Sequence, residues 1–152
     1  MNVELRDFTV GRISILCPTR NRPANVEKLV DSARKMANQP ESLEFLFYVD
    51  FDDTSFPLVE NVHVIHGPRV WISNAQNILY SQATGEILMT AGDDMEFLTP
   101  GWDNLIRDTF KGIPDRIALV FGNDLATHSG KIAVHGFFHR RWVDALGTWV
   151  QP

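Results

Sequence analysis

Short apolar, β-branched runs alternate along this chain with longer stretches whose apolar positions recur at helical spacing. That alternation is what most constrains the fold. Residues 12–17 (RISILC) have the length and content of a buried strand. Pro23 stands where a helix's first turn needs no N–H. Val26, Leu29, Val30, Ala33 and Met36 then predict an amphipathic helix to about Ala37, ended by Asn38-Gln39-Pro40. Residues 43–49 (LEFLFYV), 62–65 (VHVI) and 86–91 (EILMTA) predict three more strands. A helix over 72–83 separates the last two, with Gly85 as its stop. Thr99 and Pro100 read as the N-cap and first position of a helix reaching about Phe110. Residues 116–121 predict a fifth strand, 131–138 another after a turn at Thr127 to Gly130, and 140–146 a last short helix. Strands separated by helices imply a mostly parallel, Rossmann-like α/β sheet flanked by helices.

The chain has 152 residues, with no repeat and no Pro/Gly/Ser-rich linker, so one domain is expected over 1–152. Hydrophobic residues at 44% and charged residues at 22% suffice for a buried core. Fourteen Lys and Arg against nineteen Asp and Glu give a net charge of −5, which argues against a nucleic-acid polymer as partner. A single cysteine, Cys17, excludes an internal disulfide and a multi-cysteine zinc site, and reads as a small core residue. No apolar run approaches the ~20 residues of a membrane span. The first residues lack a signal-peptide profile, so a cytoplasmic protein is expected.

In open α/β sheets, ligands bind at the carboxyl ends of the strands. Three expected strand-end loops are rich in polar groups: Pro18 to Arg22, Asp50 to Ser55 and Gly92 to Glu96. The adjacent carboxylates Asp93 and Asp94 repel each other unless a cation or donor is near. They either hold a hard divalent ion against phosphate oxygens or form a solvated turn. Arg20 and Arg22 can clamp phosphate, and Thr19 can bond a base or ribose; a solvated, helix-capping loop is the plainer reading. Asp50 and Asp52 can accept from a nucleobase N–H or a ribose hydroxyl, or form an Asx turn. Arg69 follows the third strand and can pair with phosphate or lie on the surface. His135 and His139 each suit a third metal ligand, although capping or packing is the commoner use. Trp102 follows the acidic loop and can line a sugar site or pack.

Residues 13–22 (ISILCPTRNR) resemble the opening of the family 2 glycosyltransferases, which have the GT-A fold. Ala75-Gln76-Asn77, then residues 83–88 (ATGEIL), resemble that family's Ala-Arg-Asn…Ala-x-Gly-Glu signature, with glutamine in place of arginine at 76. They lead to Asp93-Asp94, placed like the family's Asp-x-Asp metal motif, although position 91 is alanine. The resemblance spans about residues 12–110. It implies a metal-dependent glycosyltransferase, using Mn2+ or Mg2+, that moves a sugar from a nucleoside diphosphate, UDP foremost, to an acceptor hydroxyl with inversion. The acceptor, whether glycan, lipid-linked sugar or protein, is not implied. By position, Pro18, Thr19, Arg20, Asp50, Asp52, Arg69, Asn77 and Asp93 would line the nucleotide-sugar site. Thr19 would contact the nucleotide, and Asp50 or Asp52 would read the base. Arg69 would approach the base or diphosphate. Asp94 would bind the metal, with Asp93 on the ribose or in the metal's water shell. The family's carboxylate base lies in a later segment, so the resemblance implies a short or C-terminally truncated member and names no base. Asp144, the one carboxylate after Asp124, is a poor substitute. A nucleotide-sugar-binding module without turnover, or a subunit of a larger enzyme, is the alternative. A nucleotidyltransferase would need glycine in the first loop, and there is none.

Overall fold

A computed structural model describes residues 7–125 and 130–150. Strand β1 (Thr9–Thr19) leads to helix α1 (Pro23–Met36) and a 3-10 turn (Pro40–Ser42). Strands β2 (Leu43–Asp50) and β3 (His63–Gly67) follow, then α2 (Ile72–Gln82), β4 (Gly85–Thr90) and α3 (Trp102–Lys111). Strands β5 (Leu119–Phe121) and β6 (Gly136–His139) and helix α4 (Arg140–Leu146) complete the order. The strands form one sheet in the order β3-β2-β1-β4-β6-β5. The first four run parallel, with Leu16 opposite both Leu46 and Thr90. β6 runs antiparallel to both of its neighbours, so the sheet is mixed.

Alternation along the strands divides the core into two layers. Ile13, Ile15, Cys17, Phe45, Phe47, Val49, Ile87 and Met89 face α1 and the aromatic cluster of Phe97, Trp102 and Phe137. Leu16, Leu46, Tyr48 and Leu88 face Ala75 and Leu79 of α2 and Val143 of α4. Helix α1 turns Val26, Leu29, Val30 and Ala33 inward, as its sequence spacing requires.

Four expectations change. Gly85 does not stop α2, whose C-cap is Ala83; it begins β4, where a Cβ would lie 2.5 Å from Ser14 Oγ and 2.8 Å from the Ser14 backbone nitrogen. Close strand approach, not helix termination, accounts for this glycine. Helix α3 starts after Gly101, whose φ of +70° and bond from its N–H to Met36 O (2.6 Å) set the entry, so Thr99 and Pro100 lie in the preceding turn. The strand expected over 116–121 shrinks to Leu119–Phe121, because Arg116 takes φ +61° and turns its guanidinium to Glu86 (2.8 Å). The strand expected over 131–138 is confined to Gly136–His139. Of the turn expected at Thr127 to Gly130, residues up to 129 lie outside the described residues.

Candidate functional site

The carboxyl ends of β1, β2 and β4 bring together three of the loops that the sequence singles out. Thr19, the last residue of β1, donates its hydroxyl to Asp93 Oδ2 at 2.7 Å, just beyond β4. Arg22 Nη1 donates to the other oxygen, Asp93 Oδ1, at 3.0 Å. Asp93 is therefore buried and satisfied on both oxygens. Asp94 is exposed and turns another way: a Cβ on Gly92 would lie 2.9 Å from Asp94 Oδ1 and 3.1 Å from His135 Cε1. The backbone at 93 and 94 thus sends adjacent carboxylates to separate neighbours, one to Thr19 and Arg22, the other beside His135.

Arg20 reaches across to the end of β2. Its Nη1 donates to Asp50 Oδ2 at 2.5 Å and to Asp52 Oδ1 at 2.9 Å, and its Nη2 to Asp52 Oδ2 at 2.8 Å. This fork raises the Arg20 pKa, and Arg20's hydrogen bonds hold Asp52 below the ordinary carboxylate range, with Arg69 adding a smaller effect. In this arrangement Arg20 places one positive charge between Asp50 and Asp52. Arg69 stays exposed after β3.

Asp53 is the residue that sequence reasoning passed over. It is buried and accepts from the Asn21 backbone N–H at 2.7 Å, the Ser55 N–H at 2.8 Å and the Ser55 hydroxyl at 2.6 Å. The Ser55 hydroxyl foremost, with those N–H groups, keeps its carboxyl below the usual value. Asp53 fastens the β2–β3 loop to the β1–α1 loop, where Asn21 adopts φ +52°. The Asp-x-Ser spacing of an Asx turn was the available signal.

Pro18 lies beside Thr19 and, by register, opposite Tyr48. Cys17 is wholly buried below, and burial first, then the charges of Asp93 and Asp94, raise its pKa. Asn77 lies elsewhere: its amide donates to Val150 O at 2.9 Å and accepts from Val150 N–H at 3.1 Å, holding the segment after α4 against α2. Gln76, at the position of the resemblance's arginine, donates Nε2 to Leu16 O at 3.1 Å, and its buried Oε1 has no partner among the described residues. Trp102 is core: Nε1 donates to Ala33 O and the ring packs on Phe97 and Phe137, so it lines no sugar site. His139 is buried too, capping α4 and bonding Glu86 at 3.0 Å. His135 accepts from Gly92 N–H at 3.3 Å, and burial holds its pKa below the ordinary value against the charges of Asp94 and Asp124.

The electrostatics suit an anion beside a cation. Helix α1 opens onto this edge with proline in its first turn, no side-chain cap and no acidic residue in that turn, and α2 likewise lacks a side-chain cap and an early acid. Their uncapped N–H groups and dipoles favour phosphate. No group of three or more His, Cys, Asp or Glu is arranged to hold a metal among the described residues. Asp94, with His135 alongside, offers one or two groups of the kind that could ligate a metal. That donor set fits a divalent ion such as Mn2+ or Mg2+ whose remaining ligands are diphosphate oxygens and water.

The fold matches solved glycosyltransferase structures. A mannosyltransferase from Pyrobaculum calidifontis, in complex with GDP-Man and Mn2+, superposes with TM-score 0.68 at 18% identity, over 91% of this chain and 47% of that one. TarS 1-349 of S. aureus superposes with TM-score 0.63 at 15% identity, over 90% and 49% respectively. Its complex with UDP gives 0.61 at 16% identity, over 90% and 49%. The chain thus spans about half the length of these proteins. No protein-family model and no curated protein matches it. At these identities the likeness establishes a GT-A-type fold.

Proposed function

We propose that this chain binds a nucleoside diphosphate sugar, UDP-linked foremost, together with Mn2+ or Mg2+, and transfers the sugar to an acceptor hydroxyl with inversion. The observation that carries this reading is the meeting of Thr19, Arg22 and Asp93 at the carboxyl ends of β1 and β4, with Asp94 exposed next to them in the chain, in a fold whose solved neighbours were captured with GDP-Man or UDP. Asp50 and Asp52 present carboxylates to the base or ribose, Pro18 and Thr19 line the nucleotide, and Arg69 approaches the diphosphate. Asp94 holds the metal, with Asp93 on the ribose or the metal's water shell. When bound, the divalent ion neutralises charge on the departing diphosphate. The amino ends of α1 and α2 add fixed positive potential to the same region. No residue is assigned as base.

The test is calorimetric titration of UDP, GDP and their sugars with and without Mn2+. Metal-dependent binding that weakens at least about tenfold in Asp94→Ala, as expected for loss of a charged ligand, supports the reading. Binding of equal strength in that variant refutes it. Following donor hydrolysis and transfer then separates an enzyme from a nucleotide-sugar-binding module.

A further inference from the structure

Arg22 stands at the amino end of α1, as its N-cap residue, and its side chain makes no cap. Instead its guanidinium pairs with Asp93, although Arg22 itself is 59% exposed and Asp93 is buried. With the Thr19 hydroxyl on the other oxygen, each oxygen of the Asp93 carboxylate has a donor. A divalent cation drawn to Asp93 and Asp94 would meet the positive charge of Arg22 already beside it. Like charges this close repel, and the exposed, flexible partner is the one free to move. A diphosphate offers a released guanidinium the planar, two-pronged anionic contact it prefers.

We propose that Arg22 is a diphosphate-binding residue that exchanges partners: it occupies Asp93 while the site is empty and moves to the donor's phosphates when donor and cation enter together. Resting on the nucleotide-sugar reading above, this adds a binding residue to it and predicts how the two ligands depend on each other. Metal alone binds weakly, because the Arg22 charge on Asp93 lies next to the position the ion takes at Asp94. Nucleotide alone binds weakly, because releasing Arg22 exposes the buried Asp93 charge. Together they bind cooperatively.

The experiment is calorimetry of Arg22→Gln and Arg22→Lys beside the unaltered chain, with Mn2+ alone, UDP alone and UDP in saturating Mn2+. Arg22→Gln should bind Mn2+ alone about tenfold more tightly, the order expected from removing a screened positive charge next to a divalent one. It should bind UDP in Mn2+ about tenfold or more weakly, as for loss of a charge-assisted phosphate contact. Arg22→Lys should restore the weak Mn2+ binding and only part of the UDP affinity. Opposite signs for the two ligands are the signature; both weakening, or neither changing, overturns the proposal. If the unaltered chain binds UDP but the signs agree, only the role of Arg22 fails. If it binds no nucleoside diphosphate, the functional reading fails and takes this inference with it. Thermal unfolding of each variant verifies that the fold is intact.

Discussion

Replacing Asp103 by asparagine tests how helix α3 is anchored to the rest of the fold. The Asp103 carboxylate is fully buried at the start of α3. It accepts from the backbone N–H groups of Asn38 at 2.8 Å and Gln39 at 3.0 Å, just past α1, and from Arg107 Nη1 at 2.7 Å. Arg107, itself buried, also donates Nε to Gly11 O at 2.7 Å. One carboxylate therefore joins the end of α1, helix α3 and the start of β1. An amide keeps one acceptor oxygen but leaves the Arg107 charge buried without its counter-charge. Breaking such a pair from one side costs about 3–5 kcal/mol. That is a large share of the ~5–15 kcal/mol that stabilises a typical domain, and corresponds to a melting point about 10 °C lower. Urea and thermal unfolding followed by circular dichroism measure it. A loss below about 1 kcal/mol would refute the argument, since that is the scale of an ordinary exposed pair. The pH dependence offers a second check. Burial alone would raise the Asp103 carboxyl, but the Asn38 N–H, Arg107 and the Gln39 N–H together outweigh it and hold it below its ordinary value of 3.8. A depressed folded value means the stabilisation is full above 3.8 and is lost as pH falls through the folded value. The Asp103→Asn variant should therefore lose less stability below that pH than the unaltered chain.

Two further outcomes follow from the packing. Gly85→Ala forces a methyl against the Ser14 backbone and its hydroxyl, which accepts from Gly85 N–H at 2.8 Å, so urea unfolding should show a loss of about 1–3 kcal/mol; an unchanged midpoint would remove strand approach as the reason for this glycine. Cys17, wholly buried with a raised pKa, should resist iodoacetamide at pH 8 in the folded chain and react once urea unfolds it; rapid labelling without denaturant would contradict its place beneath Asp93 and Asp94.

The parallel half of the sheet was legible because each of its parts carries its own period. Residues 12–17 and 43–49 are buried on both faces and read as continuous apolar runs, and α1 shows its inward stripe directly. Strand-end position drew attention to Thr19, Arg20, Asp50, Asp52, Asp93 and Asp94, which the fold does gather at one edge. What the sequence left hidden depends on long-range partners. Nothing local says that Arg20 reaches Asp50 and Asp52, that Asn77 spends its amide on Val150, or that His135 comes beside Gly92. The strand expected over 116–121 was misjudged in extent because its first residue, Arg116, is left-handed and bonds Glu86 some thirty positions earlier. Trp102 looked available because it follows the acidic loop; its burial rests on distant partners, Ala33, Phe97 and Phe137.

The position of β1 has a consequence for how the chain acquires its shape. β1 is flanked by β2 on one side and β4 on the other, with Ser14 opposite both Glu44 and Leu88. During synthesis, β2 can pair with β1 and β3 with β2 soon after they emerge, but the second edge of β1 stays open until β4 has been made. Through that interval a strand with an apolar centre, Ile13 to Cys17 broken only by Ser14, offers unpaired N–H and C=O groups to any other extended segment. Substitutions that slow the arrival of β4, Gly85→Ala among them, should therefore lower the yield of refolded protein at high concentration more than at low concentration, by prolonging the exposure of that edge.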